Sequence, residues 1–407
     1  MRRLLIIILL VAISLAGGGW WLWQRAQTSG VLYEPPAATI NFPKGEDRPG
    51  TSRSTSSATL ILPDLSSGPL QTASNRPVVG VMSFGSASSS LEIYAEAVSG
   101  HLYLAGGGRL SNTTIAGLRR IVGASQGKNI KLLLTTQTGT MPETLLATFI
   151  PPKENANSFV DNIESETALQ TQTLSRLIRE PVISPTGDAW AYLTPKGTKT
   201  EVVINQFSSS SPISLYSSPL EEWILDWPAT STITLQTKPA SFISGTLIGL
   251  NPKTKVATRL IGGVSGLSAN LSPDGQAIVY SGAATNGIFL GLYYPATDLL
   301  TRAPFITLAD KCTWSKDSQT LYCAVPKTIP TGNYPEDWYQ SNVNFSDIFW
   351  KFDRRTNRAE IIYNPELANP SRSLDAANLV VSVDESKLYF KNKADQLLWS
   401  LNLKTGF

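Results

Sequence analysis

Two cysteines carry the most distinctive chemistry of this 407-residue chain. Cys312 and Cys323 lie on either side of one predicted turn. If Trp314 pairs with Leu321 across that turn, Cys312 lies directly opposite Cys323. Facing residues on antiparallel strands have Cα atoms about 4.5–5.5 Å apart, which is within disulfide range. We therefore predict a disulfide between them; two buried thiols that act as small apolar side chains are the alternative.

His101 is the single histidine, and this counts against several kinds of catalytic and metal site. Ser-His-Asp and Cys-His catalysis each need a placed imidazole. Two cysteines without nearby histidines do not make a zinc site. We expect a structural role for His101, and we predict no catalytic residue, no metal and no cofactor. The chain is accordingly predicted not to be an enzyme.

One insertion, from Pro326 to Ser346, combines aromatic and acidic side chains. Loops carry function on rigid scaffolds, and Trp and Tyr are common anchors of protein interfaces. The candidate partner-binding residues are Tyr334, Glu336, Asp337, Trp338, Tyr339 and Phe345. One alternative is that the aromatic side chains pack on the rest of the fold. The other is that Glu336 and Asp337 form an acid pair or bind calcium, although no regular spacing of oxygen ligands supports this.

These residues lie within a repeat of apolar strand, polar turn and apolar strand. The clearest copy is Leu271–Tyr280, in which Pro273 presets φ, Asp274 bonds the backbone and Gly275 supplies a positive φ. The innermost strands of the units are predicted near residues 79, 123, 183, 225, 270, 313 and 381. Most copies continue with two further strands, and four strands at a spacing of about 40 residues are typical of propeller blades. We predict an all-β, seven-bladed β-propeller; six or eight blades are the alternatives.

The turn Ser272-Pro273-Asp274-Gly275, followed by an apolar strand, resembles the repeat of TolB-like and WD-repeat-like β-propellers. Further segments are similar to membrane-anchored propellers of candidate-phylum bacteria, namely Arg76–Val78, Ser111–Ile115, Lys238–Pro239, Lys311–Trp314, Pro335–Tyr339 and Asn392–Lys393. The resemblance covers about residues 76–403 and implies the fold, with no catalytic residues to carry over. The Asp-Gly turn is lost at Gln126-Gly127 and at Pro228-Ala229.

The last unit supplies three strands and ends at Leu397–Leu401, so a closed ring needs one more strand there. Thr59–Leu62 is a short apolar segment that precedes the repeats. We predict that it closes the ring as the outer strand of the last blade. An unpaired Thr59–Leu62 is the alternative.

The first residues predict a membrane anchor. Arg2 and Arg3 precede the apolar run of residues 4–23, which as a helix would span about 30 Å, one hydrocarbon core. Positive residues before the run predict a cytoplasmic N-terminus, and the tryptophans that end it suit the outer interface. A cleaved signal peptide is the alternative, and either interpretation exports the rest of the chain.

The predicted organisation is therefore an anchor at 1–24, a flexible linker rich in Ser, Thr and Pro at 25–57, and the propeller at 58–407. We expect a single-pass protein of the cytoplasmic membrane with the propeller outside. The net charge of +3 and the scattered Lys and Arg residues argue against binding nucleic acid.

These features favour a protein-binding or assembly scaffold whose partner is another envelope or membrane protein. A wall polymer is the alternative partner. A hydrolase-like propeller enzyme at the cell surface is the alternative function.

Overall fold

The computed structural model describes residues 68–404, with the exception of 87–88, 127–128, 140–141, 150–168, 176, 210, 286 and 370. The predicted anchor, the linker and the segment Thr59–Leu62 lie outside the described residues. In the part that is described, no helix is long and apolar enough to cross a membrane. The domain boundaries stay predictions.

The described strands form seven antiparallel sheets that follow one another along the chain. Before the first sheet lies β1 (Leu70–Thr72). The strands of blades 1 and 2 are β2 (Val78–Ser86), β3 (Ser89–Glu96), β4 (Leu102–Leu104), β5 (Leu118–Gln126), β6 (Asn129–Thr136), β7 (Glu143–Phe149) and β8 (Gln170–Thr173). Those of blades 3 and 4 are β9 (Arg179–Ile183), β10 (Ala189–Lys196), β11 (Lys199–Gln206), β12 (Ile213–Ser218), β13 (Trp223–Ala229), β14 (Thr232–Thr237), β15 (Ser244–Leu250) and β16 (Ala257–Ser265).

The later blades repeat the pattern. The strands of blades 5 and 6 are β17 (Ser268–Leu271), β18 (Ile278–Ala284), β19 (Gly287–Tyr294), β20 (Leu299–Arg302), β21 (Cys312–Trp314), β22 (Thr320–Pro326), β23 (Asp347–Asp353) and β24 (Arg358–Tyr363). Blade 7 contains β25 (Ala376–Val381), β26 (Lys387–Asn392) and β27 (Leu398–Asn402). Short helical turns occur at Ala309–Lys311, Glu336–Tyr339 and Pro365–Ala368.

The fold prediction of seven blades is confirmed, and each predicted innermost strand coincides with one of the observed ones. The reason is visible in β13, where Trp223, Leu225 and Trp227 are buried and the residues between them are not. This alternation of period two lets one face of each strand pack against the neighbouring blade. The core is accordingly divided into apolar clusters, of which several combine strands of adjacent blades.

The ring is closed by an N-terminal strand at the outer edge of blade 7, where the sheet order is β1-β27-β26-β25. Leu70 pairs with Leu401 and is buried. Just beyond β1, Ser74 Oγ accepts a hydrogen bond of 2.9 Å from the Leu398 amide. The predicted mode of closure is therefore observed, but the segment is Leu70–Thr72 rather than Thr59–Leu62.

The disc has two distinct faces because strands alternate in direction within each blade. One face, which we call the turn face, carries the turns between first and second strands. Gly275 has a φ of 72° there, and the Ser272 side chain accepts from the Ala277 amide at 3.0 Å. The opposite face, the loop face, carries the starts of the innermost strands and the connections between second and third strands.

On the turn face, turns form hydrogen bonds with the adjacent blade. The Asp274 amide donates to Ser318 Oγ at 3.0 Å, and the Val383 amide donates to Ser83 Oγ at 2.9 Å. These bonds join blades 5 and 6 and blades 7 and 1. The polar residues of the repeated turns are thus used by the fold itself.

We predict that Leu70→Ala lowers the free energy of unfolding by about 2–4 kcal/mol, because it leaves a cavity at the closure of the ring. Gln71 is exposed on the same strand, so Gln71→Ala is the matched control and should cost less than about 0.5 kcal/mol. Urea denaturation followed by tryptophan fluorescence measures both. Equal losses in the two variants would contradict a closing role for β1.

Candidate functional site

The longest described insertion within a blade connects β22 to β23, residues 327–346, and we call it the blade 6 loop. As a connection between second and third strands, it lies on the loop face. Its Tyr334 carbonyl approaches Gly266 so closely that a Cβ there would lie 2.7 Å from the oxygen. The φ of Gly266, 64°, also favours glycine. The loop therefore packs tightly on the connection between blades 4 and 5.

Three of the predicted partner-binding residues form a small apolar core inside this loop. Tyr334, Trp338 and Phe345 are 1%, 4% and 3% exposed. The ring centroids of Tyr334 and Phe345 lie 5.9 Å apart, and those of Trp338 and Phe345 lie 6.3 Å apart. Ile288 and Leu308 complete the cluster. In this structure these three aromatic side chains pack on the propeller, which was the alternative, and offer no surface to a partner.

A fully buried lysine lies beneath that aromatic core. Lys311 Nζ donates to Asp375 Oδ1 at 2.7 Å, to Asp347 Oδ2 at 2.9 Å and to the Ala376 carbonyl at 2.8 Å. All three side chains are at most 2% exposed. The three protons of the ammonium are therefore satisfied, as a buried cation requires.

The charged residues of this cluster also hold the blade 6 loop in place. Asp375 Oδ1 accepts from Trp338 Nε1 at 2.9 Å, and its Oδ2 accepts from the Phe345 amide at 3.1 Å. Lys311 Nζ lies 4.8 Å from the centroid of the Trp338 ring, and Lys393 Nζ lies 4.4 Å from it. Trp338 is thus fixed by a hydrogen bond at its edge and by two cations over its ring.

Two carboxyls share one ammonium in this buried cluster, so the charge is not balanced by Lys311 alone. Burial raises the pKa of Asp347 to about 6, and the Lys311 ammonium opposes this rise without cancelling it. Asp347 Oδ1 is also buried without a partner among the described residues. Burial lowers the pKa of Lys393, and the nearby Asp375 opposes that change.

The remaining predicted residues lie nearer the surface. Glu336 Oε1 accepts from the Ser241 amide at 2.6 Å and from Ser241 Oγ at 3.1 Å, which ties the loop to blade 4. Asp337 Oδ2 accepts from the Asn333 amide at 2.6 Å, within the loop itself. Tyr339 is 42% exposed. Neither acid belongs to a group of three or more metal-ligating side chains, since the described residues contain no such group.

Tyr339 and Ser268 hold a carboxyl that the sequence did not single out. Their hydroxyls donate to Asp310 Oδ2 at 3.0 Å and 2.5 Å. Asp310 is accessible to solvent, yet the protein around it is dense enough that burial raises its pKa. Burial and the Asp310 charge raise the pKa of Tyr339. A carboxyl of this kind can exchange protons or bind a cation.

Exposed apolar side chains lie on the same face. Phe242 and Ile243 follow Ser241 and are 84% and 65% exposed, and Ile306 is 51% exposed. We call these three residues and Tyr339 the apolar patch. The Ile243 amide donates to the Ala240 carbonyl at 3.0 Å, so the turn that presents Phe242 is ordered by its own backbone.

A second polar group lies on the innermost strands of blades 2 to 4. Arg120 Nη1 lies 2.7 Å from Glu180 Oε2, and the two side chains are about one-third exposed, at 34% and 39%. Glu180 has a φ of 46°, where strands rarely place a non-glycine residue. Asp226 is accessible to solvent, yet desolvation by the surrounding protein raises its pKa, and Arg120 opposes this rise.

The two cysteines have the predicted register. Cys312 pairs with Cys323, and Trp314 pairs with Leu321. The sulfur atoms are bonded at 2.07 Å, and both residues are buried in the core between blades 5 and 6. The disulfide joins the two innermost strands of blade 6 directly before the blade 6 loop.

Comparison with solved structures finds other propellers. Oligogalacturonate lyase from Vibrio parahaemolyticus is 9% identical, with a TM-score of 0.54, over 83% of this chain and 94% of that one. TolB from Acinetobacter baumannii is 13% identical, with a TM-score of 0.42, over 80% and 79%. A puromycin-hydrolysing peptidase from Mycobacterium tuberculosis is 13% identical, with a TM-score of 0.47, over 76% and 50%. No protein-family model and no curated protein sequence matches the chain.

The class of protein is thus a seven-bladed β-propeller. TolB proteins are among the structures to which the chain is similar, in agreement with the predicted resemblance. The narrower resemblance to membrane-anchored propellers of candidate-phylum bacteria stays a prediction.

The prediction that the chain is not an enzyme has to be corrected. It rested on the absence of familiar catalytic residue sets. The fold is shared, over most of both chains, with oligogalacturonate lyase, which is an enzyme. A propeller of this kind is therefore compatible with catalysis. At 9% identity the likeness shows the fold alone, so no activity or substrate follows for this chain.

We predict that Lys311→Met destabilises the protein by about 3–5 kcal/mol, because it leaves two carboxyls buried without their cation. Lys351 provides the matched control, since its ion pair with Glu360 at 2.8 Å is on the surface. Lys351→Met should cost less than about 1 kcal/mol. Chemical denaturation measures both, and a similar small loss in each would show that the buried cluster contributes little.

The contribution of Asp347 to stability should increase as the pH falls from about 7 towards 4. The native Asp347 carboxyl takes up its proton near pH 6, whereas the unfolded one does so near 3.8. Between these values the folded state binds more protons than the unfolded state, so the free energy of unfolding rises on acidification, by up to about 3 kcal/mol.

Asp347→Asn removes the titrating group and isolates its contribution from those of Asp226 and Asp310. Urea denaturation at pH 7 and pH 5 should show a smaller pH effect in the variant than in the parent. The same pH effect in both proteins would assign the dependence to other groups.

Proposed function

We propose that the chain is a membrane-anchored, extracytoplasmic β-propeller that acts as a protein-binding scaffold. Its loop face binds another envelope or membrane protein through the apolar patch. The apolar run of residues 4–23 supports the anchor. The observation that carries the binding role is the 84% exposure of Phe242 beside Ile243.

An exposed aromatic side chain of this kind is costly in water and is typical of interfaces. Phe242 does not stand on a free loop tip. Ser241, the residue before it, donates two hydrogen bonds to Glu336. Glu336 in turn belongs to the short helix that contains the buried Trp338. The patch is therefore mounted on an ordered support, which reduces the entropy lost on binding.

The partner is inferred to be a protein because the patch is apolar and aromatic. A wall polymer would be recognised mainly through hydrogen bonds, and the side chains of Phe242, Ile243 and Ile306 can offer none. The blade 6 loop keeps a role in binding, but through Tyr339 and through the support of Phe242 rather than through its buried aromatic side chains.

The test is photo-cross-linking in intact cells. The photoreactive residue benzoylphenylalanine replaces Phe242 in the full chain, and membranes are isolated after irradiation. We expect one discrete protein adduct that sediments with the membranes. The matched control carries the same residue at Val256, which is 57% exposed on the same blade but on the turn face, and should give no such adduct.

Other outcomes would contradict the proposal. A chain recovered in the soluble fraction would exclude the anchored location. A discrete adduct from position 256 and none from position 242 would move the interface to the turn face. An adduct that glycan hydrolases remove and proteases do not would identify a wall polymer.

A further inference from the structure

The apolar patch borders a carboxylate that has no cation partner in the described part of the chain. Asp310 Oδ2 accepts from the hydroxyls of Ser268 and Tyr339. Among the described residues, no lysine or arginine forms an ion pair with it. Burial raises its pKa, and the two hydroxyl donors and the charge of Lys311 oppose this rise without cancelling it.

A second carboxylate adds to this unbalanced charge. Glu336 Oε1 is satisfied by Ser241, but its Oε2 is buried and has no partner in the described part of the chain. Both Glu336 and Asp310 are near enough to Tyr339 for their charges to raise the pKa of its hydroxyl, together with the larger effect of burial. The two carboxylates therefore act on the same region of the loop face.

The two lysines that contact the blade 6 loop are already engaged. Lys311 donates to Asp347, Asp375 and the Ala376 carbonyl. Lys393 donates to the Trp338 carbonyl and lies over its ring. Neither has a contact with Asp310 or Glu336, so the negative charge beside the patch is left for a cation from outside the chain.

We infer that the partner segment that covers the apolar patch also carries a lysine or arginine, and that this cation binds at Asp310 against the Tyr339 hydroxyl. The inference rests on the proposed function. The two hydroxyl donors fix one carboxylate oxygen and orient the group before the partner arrives. A cation brought there supplies the missing charge partner and forms a charge-assisted hydrogen bond with the carboxylate.

The preference for a basic partner segment is a property of this part of the loop face and not of the whole molecule. The net charge of the chain is +3, so its long-range field does not attract a basic partner. The apolar side chains and the carboxylate together select a segment in which apolar and basic residues are neighbours. A segment that is only basic contacts the carboxylate but not the apolar side chains, and a segment that is only apolar leaves the carboxylate without a cation.

The experiment uses the full chain with benzoylphenylalanine at position 242. Asp310→Asn keeps the shape and the acceptor oxygen but removes the charge. We expect it to lower the yield of the adduct at least about threefold, in line with the loss of a charged contact at an interface. The matched control is Glu360→Gln, which removes an exposed acid of blade 6 away from the loop face and should leave the yield unchanged.

Two further readouts make the test specific. In isolated membranes, raising the salt to 0.5 M should lower the yield of the parent more than that of Asp310→Asn, because salt screens only the charged contact. Mass spectrometry of the adduct should place a lysine or arginine within about five residues of the attachment site, the reach of an extended segment across the patch. Thermal melts of the variants check that all are folded.

The two proposals fail in different ways. If the proposed function is wrong, the parent gives no discrete adduct at position 242, and the inference is overturned with it. If only the present inference is wrong, the parent still gives the adduct. In that case either Asp310→Asn gives it with the same yield and salt dependence, or the mapped segment contains no basic residue.

Discussion

The buried ammonium of Lys311 is the interaction on which the loop face depends. It lies where four parts of the chain meet, namely the start of the innermost strand of blade 6, the start of β23, the start of blade 7 and the blade 6 loop. Its two acidic partners, Asp347 and Asp375, come from two of these parts. Asp375 also binds Trp338 and the Phe345 amide. A buried ion pair is weak evidence for stability, because removing charges from water is costly. Its stronger effect is on the position of the loop, since any other position would remove the Trp338 Nε1 and Phe345 amide donors from the buried Asp375.

The two faces of the propeller use their polar residues differently. On the turn face, each Ser and Asp of the repeated turn bonds its own backbone or the next turn, as Ser272 does with Ala277 and Ser318 with Asp274. Little hydrogen-bonding capacity is left for a partner. On the loop face the connections differ from blade to blade, and the carboxylates of Asp310 and Glu336 have no cation partner among the described residues. Recognition is expected where the repeat is interrupted, because identical turns cannot distinguish one blade from another.

The fold could be read from the sequence because the information is repeated. Most innermost strands carry alternating apolar residues next to a turn with strong local preferences, and the cysteine register follows from the same pattern. The closing strand was misplaced because Leu70–Thr72 is only three residues long and carries a single buried apolar side chain. A strand of that length forms because it pairs with the edge of an existing sheet, and this pairing leaves no local pattern in the sequence.

The candidate site could be located but not interpreted from the sequence. The blade 6 loop stands out by its aromatic and acidic residues, and its position was predicted. The direction in which Trp338 points was not predicted. It is set by Asp375 and Lys311, which are distant from Trp338 in the chain and do not belong to a recognisable motif. Asp310 was missed for a similar reason: its hydroxyl donors, Ser268 and Tyr339, come from another blade and from the loop. Convergence of single residues from several blades leaves no spacing pattern to detect.

The burial of the aromatic side chains changes the role of the loop. A loop that met its partner with Trp338 and Phe345 would have to order itself at each encounter, and that ordering would reduce the affinity. With these rings packed against Ile288 and Leu308, the ordering cost is met when the chain folds. Glu336 and Tyr339, on the same short helix as Trp338, then hold Ser241 and Asp310 in place from two sides. The exposed Phe242 and the unbalanced carboxylate are therefore held in a fixed relation to each other, which a surface needs in order to select a partner by both charge and shape.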